Sequence, residues 1–513
     1  MTKYKVICTL DGKSVVNEYS EVAATAEEDK TYSFSADAGI HSVSVSVSKN
    51  GSSMYDKTED IYIVKSYEKQ PMDELSGRGI NVHYERKPYK DDIGFVNDLM
   101  NYAGIKTVRL GKSWEYIEKK KGVYDFSELD KYYGYLKEHG MNAYWCSGYG
   151  NGWLYLPERG MSSAAGWSVH TRNGFPQTQE SIKAYTKNMI EVAKENIKRG
   201  VPFYLEGWNE INGGSRNPDT IAQVYNDFTQ PVRLELIREG LDGKVEICGY
   251  TPHNNNINEF LNASMYQGFY PYFDRYAAHT YQFKNGFESS NLYDIRMQGH
   301  DDFITEWGGW KFVDMSETGF TTPASSNANS TLESANEEIA KLFTICEYNN
   351  INQIMVYDLM NDGTDASYTE DNFGAVTYDG KPKPHYLAMT NFNNHTSGGT
   401  LIGEIDTGLE TGTRAFLYYK DGEPVVIAWS NLLNGGGSEW KLPGETVDVY
   451  DNYGNAKEQA ADSVMLDREP VYIHGMSRDW IRKAVLFDTQ KLNSAWLEKF
   501  SDGVLASTRT ETC

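Results

Sequence analysis

Two glutamates stand where a carboxylate is hard to keep. Glu210 closes the stretch "VPFYLEGWNE", directly after Trp208 and Asn209, and Glu306 closes "DFITE", directly before Trp307. Each follows a short apolar run that reads as a strand. Each carboxyl therefore sits near apolar walls, where its charged form is costly and a chemical role is the usual compensation. If the two converge on one cavity, they can divide the labour. One stays protonated and can give its proton to a leaving oxygen, while the other stays ionised and can attack carbon. Two carboxyls about 5–5.5 Å apart in opposite protonation states suit glycosidic bond cleavage by double displacement. Arg109, near the end of the strand "TVRL", is a candidate cation for keeping one of them ionised. Either acid could instead be structural, paired to an arginine or capping a helix.

The elements that must carry these residues alternate between strand and helix. The strands are "GINVHY", "IKTVRL", "MNAYWC", "PFYLEGW", "VEICGY", "DRYAAHTY", "DFITEW" and "QIMVYDL". Between them lie helical patterns. "FSELDKYYGYLKEHG" opens at Ser127 and stops at Gly140. Another helix carries Ile182, Tyr185, Met189, Ala193 and Ile197 on one stripe and stops at Gly200. "TLESANEEIAKLFTICEYNN" begins with Ser330 and Glu333 at capping-box spacing. Eight such units predict an α/β fold, a (β/α)8 TIM barrel over residues 76–394. A doubly wound open sheet is the alternative, but no Gly-rich dinucleotide loop is present. In a barrel, chemistry gathers at the C-terminal strand ends, so Glu210 on strand four and Glu306 on strand seven would face each other across the mouth.

Both flanks read as β structure. "HSVSVSVSKNGS" alternates strictly and turns at Asn50-Gly51, which predicts an immunoglobulin-like β-sandwich over 1–68. "RAFLYYKDGEPVVIAWSN" and "ETVDVYDNYGNAKE" predict a second β-sandwich over 395–476, followed by a helical tail over 477–513.

Bulk composition sets limits. The chain has 513 residues, a net charge of -23 and 40% hydrophobic residues, so it is long enough for several domains. The acidic balance argues against nucleic acid and anionic membranes as partners. The ten histidines include no HExxH or HxH, and the five cysteines no CxxC, so neither a metal nor a cofactor is expected. "TDASYTED" reads as a solvated turn, with calcium binding as its alternative. No apolar run reaches the length of a membrane span. "MTKYKVICTL" lacks the long apolar core of a signal peptide. With a leader absent or removed, the expected location is extracellular or at the cell surface. Oligomeric state is left open.

The 37 Tyr and 11 Trp are numerous. Many gather in "YWCSGYGNGWLYLPERGMSSAAGWSVH", where Trp153 and its neighbours are interleaved with Gly, Ser and Asn. Rings so placed could stack on the C–H faces of sugars, or could pack a long loop onto the barrel. Trp114, Trp307 and Trp310 lie nearer the expected centre.

These segments together resemble clan A glycoside hydrolases, most of all family 39. "YLEGWNEI" is similar to the family's "EIWNEP" segment and "FITEWGGW" to its nucleophile strand. "VRLGKSWEYIEKKKGVYDFSELD", "AAHTY" and "NFGAVTYDGKPKPHYLAM" resemble its second strand, its sixth strand and the passage closing its barrel. "VYDNYGNAKEQ" and "EPVYIHGM" are similar to its trailing β-sandwich, so the resemblance spans about residues 77–476. It implies a retaining glycoside hydrolase acting on β-glycosidic bonds of a carbohydrate substrate, a polysaccharide or oligosaccharide. Glu210 would be the acid/base and Glu306 the nucleophile. Asn209 would bond the sugar 2-hydroxyl, and Arg109 would hold Glu306 ionised. His279 and Tyr281 would line the floor, although a rim histidine bonded to a backbone carbonyl is an equal reading of His279. Two positions depart from the pattern. Ile211 replaces the usual proline, and "IMVYDLMNDG" offers Tyr357 and Asp358 in place of the tryptophan that ends strand eight. The competing reading is a non-catalytic carbohydrate-binding or surface adhesion protein on a barrel scaffold.

Overall fold

A computed structural model describes residues 2–484 apart from 24–25, 28, 66–76, 112–113, 148–149, 152–178, 211–217, 250–267, 269, 282–311, 325–328, 349–350, 410–411 and 432–436. The chain opens with four antiparallel strands, β1 (Thr2–Leu10), β2 (Lys13–Val22), β3 (Gly39–Lys49) and β4 (Ser52–Ile63), in the order β2-β1-β3-β4. Asn50 and Gly51, both at positive φ, make the tight β3–β4 turn that their types predict. The sandwich expected here is a single sheet among the described residues. Its register puts Val6 against Val47 and Cys8 against Val45 on one face. Asn455 ties this sheet to the C-terminal unit by donating to the Ala38 carbonyl at 3.0 Å and accepting from the Ala38 amide at 2.9 Å.

Eight parallel strands then close a barrel. They are β5 (Arg78–Asn81), β6 (Thr107–Leu110), β7 (Asn142–Cys146), β8 (Phe203–Glu206), β9 (Glu246–Cys248), β10 (Arg275–His279), β11 (Phe312–Thr318) and β12 (Ile351–Val356). Seven coincide with strands expected from the sequence. The seventh does not: β11 is the segment "FVDMSET", whereas the strand expected at "DFITEW" lies outside the described residues. The cause is Asp314, which breaks the apolar pattern in mid-strand. It is buried because Arg275 Nη1 bonds both its oxygens at 2.8 Å, and Tyr144 donates to Oδ2 at 2.9 Å. The Arg275 guanidinium in turn stacks 4.1 Å over the Tyr204 ring. A fully partnered ion pair makes the polar strand tolerable in the barrel interior.

Helices pack outside: α1 (Ile93–Tyr102), α2 (Trp114–Ile117), α3 (Asp130–Glu138), α4 (Gln179–Arg199), α5 (Pro218–Arg238), α6 (Leu332–Tyr348) and α7 (Pro384–Thr396). Asp92 caps α1 by accepting from the Phe95 amide at 3.0 Å. On α4 the stripe buries Tyr185, Met189 and Ala193, and Gly200 ends the helix at φ +68°. The cap of α6 lies one residue later than the sequence suggests. Thr331 Oγ1 accepts from the Ser334 amide at 3.0 Å, and Ser334 Oγ accepts from the Thr331 amide at 2.8 Å. Serine at the third helical position serves as well as glutamate here, because only an acceptor is needed. Among the described residues no helix is long and apolar enough to cross a membrane.

The C-terminal unit has a five-stranded sheet of β13 (Thr400–Ile405), β14 (Thr413–Lys420), β15 (Glu423–Ser430), β17 (Asp448–Tyr450) and β19 (Val471–His474). A two-stranded sheet of β16 (Ser438–Lys441) and β18 (Ser463–Leu466) faces it. Alternation along β14 and β15 splits the large sheet's faces. Leu417, Val426 and Ala428 enter the core between the sheets, while Phe416, Tyr418 and Trp429 join the barrel core. This sandwich is therefore continuous with the barrel, not a separate bead. Residues 479–484 begin a helix whose Trp480 and Ala484 enter the sandwich core.

Candidate active site

The C-terminal strand ends bring six polar side chains to one place. They are Asn81 from β5, Arg109 from β6, Glu206 from β8, His279 from β10, and Ser316 and Glu317 from β11. Glu210 joins them from the turn after β8. Its φ is +46°, a left-handed conformation that costs a glutamate on the order of 1–3 kcal/mol and that clusters at functional positions. One carboxylate oxygen of Glu210, one of Glu317 and a nitrogen of His279 all lie within 4.8 Å of one another.

Arg109 organises the centre. It is buried, and its donors reach four acceptors: Nε to Glu206 Oε2 at 2.7 Å, Nη1 to Asn81 Oδ1 at 2.9 Å and to Glu317 Oε1, and Nη2 to Asn209 Oδ1 at 2.7 Å. Burial alone would favour its neutral form. The Glu206 and Glu317 carboxylates outweigh that and push its pKa well above the usual value, so it stays a cation. Asn81 is oriented in turn, because its Nδ2 donates to the carbonyls of Ser316 at 3.1 Å and Val356 at 3.3 Å. Asn209 is oriented too, since its Oδ1 accepts from Arg109.

Glu317 is held from both sides. Arg109 takes Oε1, and Tyr281 donates to Oε2 at 2.8 Å. Burial, then the Glu317 charge, raise the Tyr281 hydroxyl well above the ordinary phenol range, so it remains a donor. Tyr281 meets Phe373 and Tyr357 edge-on at 5.4 and 6.3 Å. Tyr357 reaches this place because Gly319 lets two backbones close. A Cβ at Gly319 would lie 1.9 Å from the Tyr357 carbonyl oxygen. Glu370, on the loop after β12, has a raised pKa through burial and then the Glu317 and Glu210 charges, so it looks toward the same pair.

His279 is fully buried, and among the described residues its ring nitrogens meet side chains, not the backbone carbonyl that one sequence-based reading expected. Nδ1 lies 2.9 Å from Glu210 Oε1, and Nε2 lies 3.0 Å from Ser316 Oγ. Trp114 is also buried. Its indole N–H donates to Glu118 Oε2 at 2.5 Å and its ring meets Tyr185 edge-on, so the ring is held within the core packing of the barrel. Glu306, Trp307, Trp310 and Trp153 lie outside the described residues. The site thus gathers Glu210, Asn209, Arg109, His279, Tyr281 and Tyr357, and adds Glu317, Glu206, Ser316 and Asn81. The rule that selects acids at strand ends fits Glu317 as well, since it follows "FVDMS" and precedes Thr318-Gly319. Asp314 hid the strand that carries it.

A second cluster adjoins the first. His83 Nδ1 is 2.9 Å from Asp362 Oδ1 and 3.6 Å from Asp358 Oδ2. These three could offer ligands to a metal ion, but Arg86 Nη1 already bonds Asp362 Oδ2 at 2.5 Å and lies 3.3 Å from His83 Nδ1. One of the cluster's two carboxyl groups, Asp362, is therefore already paired with a side-chain cation.

No protein-family model matches this sequence, and no curated protein matches it. Solved structures do. A family 39 glycoside hydrolase from the gut symbiont Bacteroides cellulosilyticus WH2 is 17% identical, with 93% of this chain and 95% of that one covered and a TM-score of 0.66. A GH39 β-xylosidase from Caulobacter crescentus is 11% identical, with 81% and 98% covered and a TM-score of 0.51. A GH30 endoxylanase from Clostridium papyrosolvens C71 is 13% identical, with 81% and 98% covered and a TM-score of 0.51. The barrel, the β-sandwich behind it and the order in which they follow one another give this chain the fold of the family 39 and family 30 glycoside hydrolases of clan A.

Proposed function

We propose that the protein is a retaining glycoside hydrolase that cleaves β-glycosidic bonds in a polysaccharide or oligosaccharide by double displacement. Glu210 is the acid/base and Glu317 the nucleophile. The observation that carries this reading is the convergence of the two carboxylates, with oxygens within 4.8 Å of each other at the barrel mouth. That spacing suits direct attack. An inverting enzyme needs about 6.5–9.5 Å, to leave room for a water.

In the first step Glu317 attacks the anomeric carbon while Glu210 gives its proton to the departing oxygen. A glycosyl ester on Glu317 results. In the second step Glu210, now ionised, takes a proton from water, which attacks the anomeric carbon and frees Glu317. Two inversions restore the starting configuration. Arg109 and Tyr281 each bond one Glu317 oxygen and so fix the orientation of the carboxylate. Asn209, whose Oδ1 accepts from Arg109, uses its amide N–H groups to bond the sugar 2-hydroxyl, a contact that strengthens in the transition state.

The test is a panel of aryl β-glycosides and polysaccharides, with proton NMR of the first-formed anomer. β-Xylosides come first, since two of the similar structures are a β-xylosidase and an endoxylanase. Release of the β-anomer is expected. Release of the α-anomer would contradict double displacement, and binding without turnover across the panel would favour a carbohydrate-binding protein.

A further inference from the structure

The two carboxylates are joined by more than the cavity between them. A chain of hydrogen bonds runs Glu210–His279–Ser316–Glu206–Arg109–Glu317. Its proton directions can be counted. Glu206 Oε2 accepts from Arg109 Nε at 2.7 Å, and Oε1 lies 3.2 Å from Ser316 Oγ. A carboxylate only accepts, so the single Ser316 proton points to Glu206. Ser316 Oγ must then accept from His279, which places a proton on Nε2. A neutral ring with its proton on Nε2 presents a lone pair at Nδ1. Two carboxylate oxygens approach that lone pair, Glu210 Oε1 at 2.9 Å and Glu317 Oε2 at 3.3 Å; Glu317 Oε2 already accepts from Tyr281, so the proton between ring and carboxyl is supplied by the nearer Glu210.

The geometry points to Ser316 and Glu206 as positioning residues that fix the proton of His279 on Nε2 and so keep a transferable proton on the Glu210–His279 pair. This inference rests on the reading of Glu210 as acid/base and deepens it. Neither Ser316 nor Glu206 touches the reacting atoms. They act through His279, whose ring is buried and so cannot settle its tautomer by exchange with bulk water. The charged and titratable groups facing the pair are Glu206 from β8, Arg109 from β6, Glu317 from β11, Tyr281 after β10 and Glu370 after β12. Arg109 is the cation among them, and it is turned to Glu206 and Glu317.

Two substitutions break the relay differently. Ser316→Ala removes the acceptor for Nε2–H and leaves the ring free to protonate Nδ1 and donate to an ionised Glu210. Glu206→Gln keeps the volume but reverses the direction. Its carbonyl must face Arg109, so its amide N–H faces Ser316, which then gives its proton to Nε2. Ser316→Thr restores the hydroxyl. The tautomer is read by NMR of 15N-histidine-labelled full-length protein, with the His279 signals assigned from a His279→Asn variant. Nε2–H is expected in the parent and the Ser316→Thr variant, and Nδ1–H in Ser316→Ala and Glu206→Gln. Kinetically, the parent's rate ratio between aryl glycosides with good and poor leaving groups should rise by about tenfold or more in both relay variants, since general acid assistance is worth about 10²–10⁴-fold. The basic limb of kcat/KM should move to lower pH.

Glu210→Ala serves as the control. If it shows no enlarged leaving-group dependence and no rescue by azide, the acid/base assignment itself fails, whatever the relay variants do. If Glu210→Ala behaves as an acid/base variant while Ser316→Ala and Glu206→Gln keep the parental tautomer and pH profile, the relay is refuted alone.

Discussion

Replacing Arg109 by lysine keeps the charge and removes the fork, which separates two roles that alanine would confound. Arginine spans four acceptors on four strand ends or turns. A lysine ammonium carries its three donors on one atom and can satisfy one of the two carboxylates. The other loses a charge-assisted bond worth about 1.5–3 kcal/mol, and the Asn81 and Asn209 amides lose about 1 kcal/mol each. The sum, about 3.5–5 kcal/mol, lies within the usual cost of breaking a buried ion pair. For a barrel of this size that corresponds to a fall of roughly 5 °C in the thermal midpoint. Catalysis should suffer separately, because Glu317 loses the donor that orients Oε1. A fall in kcat of about 10²–10³-fold is expected, the scale seen when one preorganised donor is removed. Calorimetry gives the first quantity and initial rates on an aryl glycoside the second. A variant with its midpoint unchanged within about 1 °C and its rate within about threefold would refute the claim that the fork, beyond the charge, builds the site.

Two further outcomes follow from the same structure. Tyr281→Phe removes the bond to Glu317 Oε2 and should lower kcat/KM by about 10–100-fold; a change under about twofold would remove Tyr281 from the mechanism. Acid should loosen the protein through two buried histidines. His385 has neither ring nitrogen hydrogen-bonded, and His395 Nδ1 lies 2.7 Å from His474 Nε2. Burial lowers both to about 3 from the ordinary 6.5; for His385 the neighbouring Lys383 adds to the effect, and for His395 the facing His474 does. The folded state therefore binds fewer protons than the unfolded one, and stability present above pH 6.5 is lost as pH falls toward 3. At pH 5 each histidine should cost about 2 kcal/mol relative to pH 7. Denaturant midpoints at the two pH values test this, and His385→Met should recover its share; an unchanged pH dependence in that variant would contradict the assignment.

The strand–helix alternation was plain enough in the sequence to locate seven barrel strands, because short apolar runs bounded by capped helices have few other readings. The seventh strand was hidden for a stated reason. Asp314 reads as a solvated residue until Arg275 and Tyr144 are seen to bury it, and both are remote in the chain. "DFITEW", with an unbroken apolar run and a glutamate at its end, was the more regular pattern. Glu210 was legible from its neighbours Trp208 and Asn209. The partners of His279 were not, since which serine and which carboxylate meet its ring depends on the register of β8, β10 and β11. Trp114 read as a ring near the centre; its burial and the bond from its indole N–H to Glu118, four residues on, were not legible from its type alone.

The most direct test traps the covalent intermediate. The protein is incubated with an activated 2-deoxy-2-fluoro β-glycoside of a sugar it hydrolyses, digested, and the labelled peptide sequenced by mass spectrometry. An ester on Glu317 is the result this account predicts. A label on Glu306, or stoichiometric inactivation with no glycosyl ester on any carboxylate, would contradict it.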